Sequence, residues 1–552
     1  MAATRLRSLA CLAVLAFSCS SPRDVVGGRE DAPWRPLTST TQVLDEGPRL
    51  VAAPAPAAAA AAPMLAGPPG QPGPVGLRRD ARLGRFQDGS TFDVEAQSYS
   101  ADALGIAEIL ASLDAHFPLI LAAETQIDEA RARVLGSRGA FDLGINAKVE
   151  SHLEGFYESD RVDFGVDQQL RTFGARFFGG YRRGVGDFDD WQERDKTNDG
   201  GEFRLGVDLP LLQGRAIDKR RVAEAQALIG EERAYPLVQA KRLEVLRKAT
   251  AAYWKWVASG RRLTIAEQLL ALARDRRDQV RSAVAEGELA PIDEVDNQRL
   301  IVDRETKLIK ALRELEKTGI GLSLYLRDFE GNPLLPSRDR MPSGFPAAID
   351  PEAIIDPLAE EHALGWRPEL AILRLELEAL DLDVELAENT LLPKLDLKVA
   401  ASDDNGDPSS LPDEKGPFEL KAALSLDVPL QRRAARGKLR ALEAKQERSL
   451  QKLRFGRDVI VQEVRDATSA LRRSWMALEQ ARQNVELANQ LADAERVQFE
   501  AGESDLFRVN LREQQAAVAQ DGLVSVYDEH FRTLALYRTA LGLTSGFEGM
   551  TP

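Results

Sequence analysis

Only two cysteines occur in 552 residues, Cys11 and Cys19, and both fall within the first twenty positions. Beyond them the chain has no disulfide, thiolate metal site or cysteine nucleophile. Histidine is nearly as scarce. His116, His152, His362 and His530 lie far apart, and each reads as a packing or surface residue rather than a ligand. No His-Glu-x-x-His, Gly-x-Ser-x-Gly or P-loop spacing is present. The sequence therefore offers no catalytic centre and asks for no cofactor or metal. A basic stripe is missing as well, and the formal net charge is −15, which argues against a nucleic-acid partner. Aromatics make up 6 %, while Ala, Leu, Glu, Arg and Gln dominate the long segments, a composition suited to long helices and coiled coils. Long hydrophobic runs are lacking too. Leu9 to Phe17 is too short to span a bilayer, and no other stretch approaches the ~20 apolar residues of a membrane helix. A chain of this kind crosses a membrane, if at all, with strands.

The N-terminus reads as an export signal over residues 1–18. Arg5 and Arg7 supply the charged region ahead of the apolar run. Ala16-Phe17-Ser18-Cys19 resembles a bacterial lipobox, in which Cys19 becomes the lipidated, palmitate-bearing first residue. Ordinary signal-peptidase cleavage after Ser18 is the alternative, and either route exports the chain. Residues 19–100 read as an unstructured leader, with Ala-Pro repeats from Ala52 to Pro63.

What is present in abundance is repetition. Val284-Ala285-Glu286-Gly287-Glu288-Leu289 and Phe499-Glu500-Ala501-Gly502-Glu503-Ser504 each separate a long helical stretch from a shorter one. Asp208-Leu209-Pro210-Leu211 returns as Asp427-Val428-Pro429-Leu430, and Phe117-Pro118-Leu119 has a looser counterpart in Arg367-Pro368-Glu369-Leu370. One unit thus occurs twice: helix, strands, long helix, turn, helix. The boundaries read as 101–328 for the first unit, a Pro- and Gly-rich hinge at 329–366, and 367–545 for the second.

Within the first unit, helical spacing runs over about 101–136, broken at Pro118. The period then changes to two. Phe141, Leu143, Ile145, Ala147 and Val149 alternate with polar residues, as do Phe203, Leu205, Val207 and Leu209. Residues 155–202 leave two readings open, an extra hairpin through Val162, Phe164 and Val166 or a long exposed loop. Helical spacing returns over 216–285, about 105 Å of helix, with a kink expected at Pro236. A second helix starts at Pro291. The second unit reads as helix 367–390, a strand through Leu395, Leu397 and Val399, a polar loop at 402–416, a strand over 418–428, helix 434–500 and helix 505–542. Helices of that length must bury their apolar stripes against other helices, including those of other copies. Two or three strands per unit cannot close a barrel alone, so several chains would share one.

In that order and spacing the chain resembles the TolC family of outer-membrane efflux proteins, over about 100–545. The resemblance implies a mainly α fold with a small β part. Duplicated long helical hairpins would form a trimeric α-barrel joined to a shared outer-membrane β-barrel. It implies an exit duct of a tripartite efflux system, conducting small molecules passively, with a periplasmic adaptor and an inner-membrane pump as partners. The duct of a type I protein-secretion system is the same-fold alternative, and a non-pore periplasmic coiled-coil scaffold is the alternative from another class. The implied location is the outer membrane, lipid-anchored and extending into the periplasm. Two sets of site residues carry over. Glu286, Gly287, Glu288 and Leu289, with Ala501, Gly502, Glu503 and Ser504, match the adaptor-contact tips. Asp293 matches a gate aspartate, Asp296 follows one turn on, and Arg508 and Arg512 stand at the equivalent place in the second unit. The competing reading makes each glycine a plain helix-ending turn and the charges a solvated face. Asp142, Asn146, Glu150, Asp208, Asp396, Lys398, Glu419 and Asp427 would line the lumen and favour cations. Phe156, Tyr157, Phe177, Phe178 and Tyr181 are candidates for an interfacial aromatic belt.

Overall fold

The computed structural model describes residues 102–154, 157–188, 196–287, 289–407 and 418–544. The expected signal peptide, Cys19, the leader, Phe156 and Glu288 lie outside the described residues. Two helices open the described chain, α1 (Ile106–His116) and α2 (Pro118–Arg138). Pro118 sits at the first position of α2, where a missing N–H costs nothing. The run Ile106–Phe141 is long and apolar enough to cross a membrane by length and composition, which the sequence reading did not anticipate. It is divided at Pro118, and α1 turns Ile106, Ile109, Leu110 and Leu113 into the protein core. The apolarity of α1 is thus used in packing, while Leu119, Leu121 and Leu135 of α2 stay exposed.

Four strands follow: β1 (Leu143–His152), β2 (Ser159–Gln169), β3 (Arg176–Gly186) and β4 (Gly201–Pro210). Residues 155–202 therefore contain the hairpin β2–β3, which settles the open choice made from sequence. The first long hairpin is α3 (Lys219–Ala285) and α4 (Pro291–Ser323). Asp218 caps α3 by accepting from the backbone N–H of Arg220 at 2.8 Å and of Arg221 at 3.2 Å. Pro236 does not end α3, which runs on through it. Ala234 and Val238 on either side pack with Ala123, Ile127 and Ala130 of α2, a contact that offsets the lost backbone hydrogen bond.

The segment expected as a hinge carries the short helices α5 (Pro351–Ile354) and α6 (Ala359–Trp366). Then come α7 (Pro368–Asn389), β5 (Lys394–Asn405), β6 (Phe418–Asp427), and the second long hairpin, α8 (Arg433–Glu500) and α9 (Leu506–Ala540). Strand β5 extends to Asn405, into what reads as a loop from sequence. The long helices have 67 and 68 residues, about 100 Å each.

The main core lies about halfway along the long helices. It joins α1, the middle of α3, α6, the start of α7, and the ends of α4 and α9. Trp254 of α3 stacks on Phe531 of α9 with ring centroids 4.4 Å apart, and Phe345 stacks on Tyr527 at 5.0 Å. Both long hairpins are thus clamped at this level, while their far ends run out toward the turns at Gly287 and Gly502.

Candidate pore wall and helical tips

The six strands form one antiparallel sheet in sequence order, β1-β2-β3-β4-β5-β6. Its register gathers mainly apolar side chains on one face, with Asp403 the charged exception in the rows that follow. The ladder row Ala147–Phe164–Tyr181–Phe203–Asp403–Phe418 runs across all six strands, and the neighbouring row is Ile145–Val166–Gly179–Leu205–Ala401–Leu420. This apolar face is open: Ile145 is 68 % exposed, Phe203 57 % and Leu420 67 %. An exposed apolar face of that breadth needs a non-aqueous neighbour. Strands of 10 to 12 residues cover about 33–40 Å, and a 45° tilt brings that near the ~25 Å apolar band of a membrane barrel.

Four of the sheet's ends join helices on one side. Strand β1 is entered from α2 and β4 leaves into α3. Strand β5 is entered from α7 and β6 leaves into α8. The helices therefore extend from one edge of the apolar band only. The aromatic belt differs from the expected set. Phe177 and Tyr181 do lie on the apolar face, but Phe178 faces the other way, with the Lys398 ammonium 4.9 Å from its ring centre. Phe164, Phe203 and Phe418 share the Tyr181 row instead. Consecutive aromatics such as Phe177-Phe178 cannot share a face in a strand.

The opposite face is polar and crowded with ions. Of the expected lumen residues, all but Asp142, which precedes β1, stand on it. The cation preference expected from carboxylates alone is offset, because Lys148, Arg161, Arg176, Arg182, Arg204, Lys394, Lys398 and Lys421 share the face. Arg176 meets Asp208 at 2.6 Å and Arg182 meets Glu202 at 2.5 Å, each directly across from β3 to β4. Arg204 reaches Asp163 at 2.8 Å, passing over Gly180 of the intervening strand. Three of these arginines come from β3 or its partner β4, beside the segment that gave no clear signal in sequence.

At the far end of the helices the tips are glycine turns. Gly287 has φ +81° and Gly502 φ +76°, the left-handed region open to glycine at little cost. Around Gly502 the Glu503 N–H reaches the Gln498 carbonyl at 2.9 Å and the Gly502 N–H the Phe499 carbonyl at 3.0 Å, a Schellman closure. After Gly287, the Leu289 N–H bonds the Ala283 carbonyl at 3.2 Å. Ser504 donates to Glu495 at 2.5 Å, tying the second turn to α8. Glu286 and Ala501 are the residues at which α3 and α8 end.

The four gate candidates occupy the first turns beyond the tips. Asp293 accepts from the Ala290 backbone N–H at 3.0 Å and so closes the start of α4. Asp296 lies 3.8 Å from Arg299 and Arg508 3.7 Å from Asp505, all of them exposed. Arg512 lies 3.6 Å from Glu495 of α8. Among the described residues of a single chain, no aspartate of this set pairs with an arginine of it.

Sequence reasoning missed a buried cluster farther up. Glu513 of α9 accepts from Arg276 of α3, which also donates to Asn510 at 2.7 Å, and from Arg304 of α4 at 3.3 Å. Burial presses the Glu513 carboxyl upward, but the Arg276 hydrogen bond and the charges of Arg276 and Arg304 hold it below its ordinary value. Burial likewise lowers the Arg304 guanidinium, against the pull of Glu513. A signal was available. Glu513 falls between Val509 and Ala516–Ala517, Arg276 between Ala273 and Val280, and Arg304 after Ile301, each on a buried helical stripe. Apolar side chains remain uncovered on the outer helices: Val295, Val302 and Ile309 recur every seventh residue on α4, and Phe507, Leu511 and Val518 line α9.

One sheet with an apolar face and an ionic face is continued on one side by two long helical hairpins. Residues 361–541 match the family model described as outer membrane efflux protein. Similar solved structures are the outer-membrane channel OprN (15 % identity, TM-score 0.60, covering 80 % of this chain and 90 % of that one) and the open state of the MtrE outer-membrane channel of Neisseria gonorrhoeae (14 %, 0.57, 79 % and 88 %). VceC, an outer membrane protein of Vibrio cholerae, is similar at 15 % identity and a TM-score of 0.57, covering 80 % and 96 %. No curated protein matches the sequence. The outer membrane efflux protein match thus covers the second unit, and the described chain has the fold of these channels.

Proposed function

We propose that three copies of this chain form an exit duct of a tripartite efflux system, conducting small molecules passively across the periplasm and outer membrane. The observation that carries the reading is the sheet. Its apolar face fits lipid, its ionic face fits water, and its helices leave from one edge alone. Among the described residues strands β1 and β6 each have one partner, so both edges are open and call for neighbouring copies. The apolar stripes of α4 and α9 supply the matching contacts between helical hairpins. The two glycine tips face away from the membrane and are the surfaces offered to a periplasmic adaptor, with an inner-membrane pump behind it. Cys19 is the lipid anchor. The sequence carries no P-loop spacing, and energy for transport comes from the partner pump.

The test is purification from membranes in detergent, mass measurement, and reconstitution in a planar bilayer. A detergent-dependent trimer that gives discrete conductance steps supports the duct. A well-folded oligomer that extracts without detergent and passes no current returns the chain to the scaffold reading.

A further inference from the structure

The hairpin β2–β3 is one of the two readings that the sequence leaves open for 155–202, and it bears on the width of the opening. We propose that this hairpin is a full segment of the pore wall, so that three chains build an eighteen-stranded barrel with a porin-wide mouth. The number of chains rests on the trimeric duct proposed above; the six-strand share of each chain does not.

Three observations seat the hairpin in the wall. It is paired on both sides, β2 to β1 from His152↔Ser159 to Leu143↔Gln168 and to β3 from Ser159↔Gly186 to Gln169↔Arg176, and β3 to β4 from Arg176↔Asp208 to Arg182↔Glu202. Its alternation stays in phase with the rest of the sheet, Val162, Phe164 and Val166 facing with the apolar rows and Asp163 and Asp167 with the ionic ones. Its helix-side turn is docked rather than free. The Leu170 N–H bonds the Ala175 carbonyl at 2.7 Å, Arg171 pairs with Glu224 of α3 at 3.1 Å, and the Arg171 guanidinium lies 4.5 Å from the Phe141 ring centre. Gly174, at φ +66°, is so close to the Gly214 carbonyl that a Cβ would stand 2.4 Å from it.

Strand parity then permits closure. In a six-strand meander β1 and β6 run antiparallel, so β6 of one copy meets β1 of the next as another antiparallel pair. A chain lacking β2–β3 would also close, because β1 and β4 are antiparallel to each other. The hairpin is therefore not required for closure; it adds circumference. Barrel diameter grows roughly linearly with strand number, so eighteen strands give about half as much again as twelve, within the range that leaves an aqueous channel. The mouth then screens no solute that the helical tunnel admits, and any size limit lies in the helices.

Two measurements on the full chain test this. Asp167→Cys places a thiol on the ionic face near the helix-side turn, and Val166→Cys places one on the apolar face beside it. Intact cells are treated with a polymer-linked, membrane-impermeant maleimide, with the parent chain giving the Cys19 background. Labelling of Asp167→Cys with Val166→Cys protected is the expected result; equal labelling of both, or labelling of Val166→Cys alone, overturns the proposal. Particle imaging in lipid nanodiscs counts the strands. Eighteen supports it, while a three-chain barrel with β2–β3 folded outside overturns it and leaves the duct standing. Particles with no membrane barrel would overturn the duct reading itself.

Discussion

Glu513 of α9 and Arg304 of α4 meet 3.3 Å apart with side-chain exposures of 2 % and 1 %. With Arg276 of α3, whose side chain is 9 % exposed, they bind the first long hairpin to the second between the central core and the tips. Two buried guanidinium groups share one carboxylate here, with the half-exposed Arg496 of α8 3.7 Å from it, so the charge of Glu513 is what makes the burial of Arg276 and Arg304 tolerable. Glu513→Ala removes that charge and strands both arginines. The expected loss is about 3–5 kcal/mol per chain, read as a lowered midpoint of heat denaturation in detergent. Replacing Glu513, Arg276 and Arg304 together by Leu, Met and Met should recover most of the loss. An unchanged midpoint in Glu513→Ala would show that the cluster holds nothing.

His530 sets a pH dependence of definite sign. It is fully enclosed on α9, with Nδ1 3.0 Å from the Ser474 hydroxyl. Burial, aided by the positive charge of Arg482, lowers it to about 4. The unfolded chain titrates near ~6.5. Between these values the unfolded state binds the extra proton, so stability is full above about 6.5 and falls as the pH drops toward 4. The contribution is on the order of 3 kcal/mol. His530→Gln should flatten this part of the stability profile, measured by heat denaturation from pH 7.5 to 4.5. A profile as steep as that of the parent would assign the dependence to other groups.

These two sites show where the sequence is legible and where it is not. The long helices, the glycine turns and strands β1, β4 and β6 announce themselves, because period and punctuation are local properties. Strand β3 does not, since Arg176-Phe177-Phe178-Gly179-Gly180-Tyr181-Arg182-Arg183 places aromatics, glycines and arginines on both faces. Its identity is fixed by partners on β2 and β4 rather than by its own pattern. Pro236 is ambiguous for the same reason: that the helix continues through it depends on the contact that Ala234 and Val238 make with α2. The cluster at Glu513 escapes a reading by charge alone, because a charge on a helix reads as solvated unless its place on the apolar stripe is weighed. The tip residues were located by the glycines, but any pairing across copies lies beyond what one chain displays.

The two faces of β6 predict opposite responses to the same change. Leu424 is 65 % exposed on the apolar face and sits opposite Leu397 of β5, whereas Ala423 faces the ionic side opposite Lys398. Leu424→Arg puts a cation into lipid, at about 2–4 kcal/mol if the site lies near the bilayer midplane. Ala423→Asp puts a carboxylate beside a lysine in water and should be tolerated. The membrane-inserted fraction after extraction measures both. Loss of insertion in Ala423→Asp but not in Leu424→Arg would reverse the assignment of the faces.

At the tips, the gate proposed for Asp293, Asp296, Arg508 and Arg512 requires contact between copies, since within one chain each has a local role. Asp293 caps α4 and Arg508 sits beside Asp505. Replacing Asp293 by alanine would therefore confound a gate with a lost cap, which alone is worth about 0.5–2 kcal/mol. Asn keeps an acceptor for the Ala290 N–H and removes only the charge. The informative variant is thus Asp293→Asn with Arg508→Ala. If neighbouring hairpins are held by partly solvated Asp–Arg pairs, each pair contributes about 1 kcal/mol, and three of them in a trimer bias the closed state by a factor of about 10². Single-channel current in a planar bilayer should then show a larger open fraction than the parent at the same voltage, with the difference shrinking as salt screens the pairs. An unchanged open fraction at low salt would keep the pore and move its constriction away from these residues.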